Sequence, residues 1–394
     1  MTANLTNFRE DGVDLVDKYI ATDYIKDIND VYLTQDFLNL KYSRTLWSWG
    51  NNGNCQLGLN DLTTRSSPAL VGNTLNKWKD VGVGFYYNIA IKTDGTLWSW
   101  GFNNVGQLGL DDTNNRSVPT QVGSMTDWSL VKSSQYHTLA IKDNGSLWAW
   151  GLNSEGQLGL NTTINVSSPT QVGNLTSWSK INLGYYHTLA IKTDGTLWSW
   201  GSNFYGQLGQ NNIINKSSPV QVGSLSNWSN ISRGYYHAIA IKTDGTLWSW
   251  GFNNVGQLGL GDDNISRSSP VQVGSLTTWS TLASGWTFCA ALKNDGTLWV
   301  WGDNNYGQFG VNDTIDRSSP TQVGTLTNWS IVAVGRRHIL GLKTDGTLWT
   351  IGDNSYGQLG LDDNISRSSP VQVGSLNNWN NIYGGQYHSI ALLG

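Results

Sequence analysis

Short apolar runs alternate with polar, glycine-rich stretches along most of this chain, and the alternation keeps a fixed period. The pair Leu-Trp recurs at Leu46-Trp47, Leu97-Trp98, Leu147-Trp148, Leu197-Trp198, Leu247-Trp248, Leu298-Trp299 and Leu348-Trp349, always 50 or 51 residues apart. Within residues 184–234, Gly184 to Lys192 reads as one strand and Thr196 to Trp200 as a second. Asp194-Gly195 between them predicts a type I′ hairpin, with positive φ at both central positions. A Gly/Asn loop runs to Gly206-Gln207-Leu208-Gly209, and Ser217-Ser218-Pro219 introduces a short strand, Val220 to Val222. Trp228 to Ile231 supplies a fourth strand. Four antiparallel strands per period of this length describe a propeller blade.

Composition supports strands and turns over helices. There are 46 glycines and 21 tryptophans, charged residues make up 13%, and Glu10 and Glu155 are the two glutamates. All seven prolines (Pro68, Pro119, Pro169, Pro219, Pro270, Pro320, Pro370) share one repeat position, which predicts a strand entry because proline cannot donate to a ladder. Ile91–Leu110 and Ile241–Leu260 are identical over 20 residues. The first period, from Tyr42, lacks the strand that precedes the Asp-Gly turn elsewhere. The last period ends with that strand, Gly385 to Leu392. These complementary halves predict that residues 386–393 pair beside residues 44–50 and close a ring, removing exposed sheet edges.

One repeat, Gly-x-x-His-x-x-Ala-Ile-Lys-x-Asp-Gly-x-Leu-Trp-x-Trp-Gly-x-Asn-x-x-Gly-Gln-Leu-Gly, resembles that of the regulator of chromosome condensation family. The resemblance covers residues 42–394. It implies an all-β, seven-bladed propeller closed by strands from both termini. The family's founding member is a guanine nucleotide exchange factor that also docks on chromatin, and the resemblance implies that exchange depends on loops and an inserted wedge projecting from the propeller. Here every period is 50 or 51 residues, which leaves no room for such an insertion.

The net charge is −4, and residues 1–41 carry eight acids and four bases, so the repeat region is neutral. No basic stripe predicts nucleic-acid binding. No apolar run is long enough to cross a membrane, and Met1 to Glu10 does not read as a secretory signal. Cys55 and Cys289 fall at different repeat positions, which predicts no disulfide.

Chemistry-bearing residues mostly recur with the repeat. His137, His187, His237, His338 and His388 share one position, filled by Tyr87 and Phe288 in the other two periods. Equivalent positions spread around a ring, so the expected role is a bond to a neighbouring blade's backbone, against the alternative of a metal site. The paired tryptophans, and the third set from Trp78 to Trp379, are expected as inter-blade core, against the alternative of sugar-stacking platforms. Asp111-Asp112, Asn211-Asn212, Asp262-Asp263-Asn264 and Asp362-Asp363-Asn364 are expected as solvated turns, against calcium binding. No nucleophile motif, phosphate loop or isolated carboxylate pair appears, so no catalytic residue, metal or cofactor is assigned. Three residues depart from the pattern and are candidate binding residues: Trp286, expected as an exposed ring, and the adjacent pair Arg336 and Arg337, which replaces Tyr-Tyr of other periods.

Residues 1–41 do not match the repeat and read as a partly helical docking or adaptor segment. Its apolar contacts would come from Tyr19, Ile20, Tyr24, Ile25, Tyr32 and Phe37. A segment of this size cannot hold its own core. The surface is neutral, rich in Asn, Ser and Thr, and poor in lysine. That combination predicts a non-enzymatic display module in a virion, such as a phage tail, fibre or baseplate, with other virion proteins or a host surface receptor as partners. The alternatives are an intracellular, cytoplasmic exchange-factor-like signalling propeller and a glycan-binding propeller.

Overall fold

The computed structural model describes residues 44–72, 77–262 and 265–394. The docking segment expected at residues 1–41 lies outside these. The described residues form 28 strands in seven four-stranded antiparallel sheets. One blade runs from the axis outward as Trp178–Leu183, His187–Lys192, Leu197–Gly201 and Lys216–Gln221. Each inner strand touches the inner strands of its two neighbours, so the seven sheets form a closed ring. The spatial blade is offset from the period read in sequence: the strand beginning at Trp228 opens the next blade.

Ring closure joins the two ends of the chain in one sheet. Trp379–Gly384 and His388–Leu393 supply its two inner strands, and Thr45–Gly50 and Arg65–Leu70 its two outer ones. Thr45 pairs with Leu393 and Gly50 with His388, in unbroken register. The expected pairing of residues 386–393 with residues 44–50 is therefore present, two strands from each end.

Two local expectations are corrected. In the Asp-Gly hairpin, Gly95 has φ +79°, while Thr93 and Asp94 do not have positive φ. The Gly95 amide donates to Lys92 O at 3.0 Å and the Lys92 amide to Thr96 O at 3.0 Å. This is a three-residue connection, a type I turn followed by a left-handed glycine, and not a type I′ turn. Asp94 Oδ1 accepts from the Thr96 amide and hydroxyl and fixes the turn. The prolines, expected at strand entries, lie inside the outermost strands. Pro219 is the fourth residue of Lys216–Gln221, where the register jumps between Ser199 and Gly201. An outer strand with a bulge tolerates proline because no ladder bond is asked of it there.

The core sits between blades. One cluster joins Leu139, Ile141 and Leu147 of one blade to Trp178, Ile181, Ala190 and Trp200 of the next. The second tryptophan of each pair is sealed in the seam, and its Nε1 donates to the backbone of the preceding blade: Trp150 to Gln107 O at 3.0 Å, Trp200 to Gln157 O at 2.9 Å, Trp250 to Gln207 O at 2.9 Å. In the closing blade Trp49 makes the same bond to Gln358 O at 2.8 Å. Glycine is required where this ring docks, since a Cβ on Gly159 would lie 2.8 Å from Trp200 Nε1. In six blades the first tryptophan carries a lysine ammonium on its face, as Lys192 Nζ does 3.6 Å from the Trp198 ring centre; in the closing blade Leu393 takes the lysine position.

Candidate interaction face

Each inner strand delivers its chain to one end of the ring, turns, and returns as the second strand. The two residues in that turn come from every blade and crowd the axis. On the inner tier, Phe85, Tyr185, Tyr235 and Trp286 pack on one another. Ring centres lie 5.9 Å apart for Phe85–Tyr185, 4.1 Å for Tyr185–Tyr235, 4.7 Å for Tyr235–Trp286 and 6.0 Å for Phe85–Trp286. Phe85 meets rings from non-adjacent blades, so the cluster plugs the axial channel. Backbone bonds tie the turns together, as from the Tyr235 amide to Trp286 O at 3.0 Å.

Outside this plug lies a second aromatic tier. Tyr86 stacks edge-on against Phe102, and Tyr205 packs on Tyr236 and Phe252 at 5.0 and 4.4 Å. Tyr356 meets Tyr387 at 4.9 Å. Phe204, Tyr205, Tyr306 and Tyr356 remain exposed. Burial among these rings pushes the Tyr185 and Tyr235 hydroxyls up to about 12, so this face offers neutral phenols, not phenolates.

The candidate residues divide across these tiers. Trp286, expected as an exposed ring, is half-buried, because the Arg336 guanidinium covers it with its carbon 3.4 Å from the ring centre. Arg336 also donates to the Tyr387 hydroxyl. Arg337 does not join them; it stacks on Tyr306, 4.1 Å from the ring centre. The sequence reading missed Phe85, Tyr185 and Tyr235. Their signal was a column of aromatic residues immediately upstream of the histidine position.

The histidines lie under this end, fully buried. Burial drives His187, His237 and His388 down to about 3 and His338 to about 4, so all are neutral. Where the outer ring nitrogen has a close partner, in His237, His338 and His388, that partner is a side chain of the next blade and not the backbone expected, while neither ring nitrogen of His187 is partnered. His338 Nε2 lies 3.0 Å from Ser389 Oγ, and His388 Nε2 lies 3.0 Å from Asn88 Oδ1. Tyr87, at the same position, does reach backbone, donating to His137 O at 2.7 Å. Among the described residues, no group of three or more His, Cys, Asp or Glu is placed to hold a metal ion. The acidic loops are engaged locally, as by Arg116 on Asp112 at 2.6 Å. Burial raises the Cys289 thiol to about 12, which leaves it unreactive. A cavity of about 500 Å³ lies on the rim between two blades, beside Trp228, Trp248 and Gln210. No helix among the described residues is long and apolar enough to cross a membrane.

Fold and face together define a closed seven-bladed repeat propeller with an aromatic, arginine-bearing axial end. Its repeats match the family described as "Regulator of chromosome condensation (RCC1) repeat" over residues 45–91, 94–141, 144–191, 194–241, 244–292, 295–342 and 345–392. The chain belongs to that family. Among curated relatives it is similar to the mouse (Mus musculus) "Probable E3 ubiquitin-protein ligase HERC4", 33% identical over 26% of this chain and 10% of that protein. It is also similar to the "Ultraviolet-B receptor UVR8" of Arabidopsis thaliana, 40% identical over 20% of this chain and 18% of that protein. The matched stretch spans a fifth or less of either relative. Among solved structures, human WBSCR16 superposes with a TM-score of 0.80 at 21% identity, covering 89% of this chain and 99% of that one. Prp20p of Saccharomyces cerevisiae gives 0.80 at 21%, covering 93% and 95%. At these identities the structures speak for the fold alone.

Proposed function

We propose that this chain is a non-enzymatic, protein-binding regulator propeller that engages its partner through the aromatic end. The observation that carries this reading is the two-tier surface built from Phe85, Tyr185, Tyr235, Trp286, Arg336 and the exposed Tyr306 and Tyr356. Tyr, Trp and Arg are the residue types that concentrate binding energy at protein interfaces. The yeast relative Prp20p points the same way: it binds Gsp1p and histones and has been solved bound to Kap60. The virion placement drawn from surface composition has no counterpart among the relatives named, and the intracellular signalling alternative takes precedence. The glycan alternative loses most of its platforms, since one tryptophan of each pair is sealed in a seam and the third set is buried.

The test is site-specific photo-crosslinking in the native host. A photoreactive phenylalanine is placed at Tyr356 on the aromatic end and, as a control, at Thr193 in a turn at the opposite end. The same partner protein should crosslink from Tyr356 and not from Thr193, and Trp286→Ala with Tyr235→Ala should weaken its binding at least tenfold. Crosslinking from the opposite end, unaffected by these substitutions, would overturn the reading. A nucleotide-release assay on any small GTPase so captured separates exchange from simple binding.

A further inference from the structure

Beneath the aromatic plug, the axial channel is walled by the last residue of each inner strand. The six other blades place Val83, Ser133, Leu183, Ser284, Val334 and Gly384 there. One blade places Arg233. Its guanidinium reaches across the channel, and Nη2 donates to Ser133 O at 3.2 Å, two blades away. Its Nε is shielded from solvent and has no partner. Between Arg233 and the plug lies a cavity of about 40 Å³, also lined by Arg336, Trp286, Ser134 and Ser284. Arg336 Nε and Trp286 Nε1 are likewise buried donors without acceptors. Among the described residues, no Asp or Glu lines this cavity, and neither arginine forms an ion pair.

Two arginines and a tryptophan with unpartnered buried N–H groups therefore line one small space together with Gln386, whose Oε1 is also unpartnered, and no negative charge balances the two cations. Both arginines are partly exposed, but a guanidinium N–H shielded from water without an acceptor is costly, so such groups are normally paired. Arginine does not give up its proton at physiological pH. We infer that the axial cavity is a binding site for a small inorganic anion of halide size, held by Arg233 and Arg336. Its volume suits a monatomic ion. Access comes from the opposite end, where a wider cavity of about 200 Å³ also borders Arg233. Lys132 lines that entrance, with its ammonium 3.2 Å from Asp80. This inference is independent of which protein the aromatic face binds.

The experiment uses the full chain crystallised in sodium bromide, with data collected at the bromine edge. The expected result is an anomalous peak within hydrogen-bond reach of Arg233 Nε. In parallel, replacing gluconate by chloride at constant ionic strength should raise the melting temperature by about 2 °C. Arg233→Leu, which installs the residue found at Leu183, should abolish that increment. Arg233→Lys should keep part of it. Empty or water-only density in the bromide crystal overturns the inference, as does a chloride increment of equal size in Arg233→Leu. If Arg233→Leu does not fold, the bromide map decides alone.

Discussion

The inter-blade seam and the axial end obey opposite rules. At the seam, Trp49, Trp100, Trp150, Trp200, Trp250 and Trp301 repeat one ring, one bond and one carbonyl acceptor. At the axial end, the equivalent positions hold Phe85, Gln135, Tyr185, Tyr235, Trp286, Arg336 and Gln386. Sevenfold repetition solves a packing problem that is the same in every blade. Recognition needs the symmetry broken, because a sevenfold-equivalent surface would hold a partner in seven orientations alike. The one seam that departs is itself compensated by packing. Ile351 replaces the tryptophan and Ile339 the polar neighbour, while Phe309 replaces the usual leucine and joins the core there.

The harshest way to break the contrast is at the seam. Trp200→Ala removes a buried ring and its bond to Gln157 O, and should cost about 3–5 kcal/mol, measured by urea unfolding. A loss under about 1 kcal/mol would show that the seam is not where stability resides. Acid probes the layer between seam and face. Because the folded state holds His187 at about 3 against an ordinary 6.5, the unfolded chain binds more protons between these values. Stability therefore falls as pH drops from about 6.5 toward 3. His187 has neither ring nitrogen partnered, and Phe288 occupies the same position elsewhere. His187→Phe should match the parent at pH 8 and flatten the acid slope by about 1 kcal/mol per pH unit. An unchanged slope would assign acid sensitivity elsewhere.

Smaller effects sharpen the contrast. Cys55 sits at φ +63° where the six other repeats have glycine. Cys55→Gly should stabilise by about 1 kcal/mol in thermal unfolding, by relieving a left-handed non-glycine residue. Destabilisation would mean that the thiol has a packing role. Least of all should follow from Arg116→Ala, which breaks a surface ion pair and should cost under about 1 kcal/mol in the same assay.

Much of this was legible in the sequence, for physical reasons. Blade number followed from the Leu-Trp spacing, and ring closure from the strand missing before Tyr42 and present at His388. The turn type was misread because Asp-Gly serves both kinds of hairpin. The deciding feature was the third residue, Thr93. The seam bond was invisible because its acceptor is a backbone carbonyl, which no side-chain pattern reveals. The axial face escaped for another reason. Phe85 and Trp286 lie far apart in the chain and meet only because the ring brings every inner turn to one point. Arg233 carried no signal in the sequence, because only the closed ring brings the ends of the inner strands to one channel.

The closing sheet has a consequence for orientation. Arg44 O accepts from the Trp78 amide, and the Gly394 amide donates to Asn378 O. Both contacts lie at the end of the ring remote from the aromatic plug. A tether joined at either place would point away from Trp286 and its neighbours. Immobilising the protein by such a tag should leave the recognition surface turned outward, like a dish on its stalk.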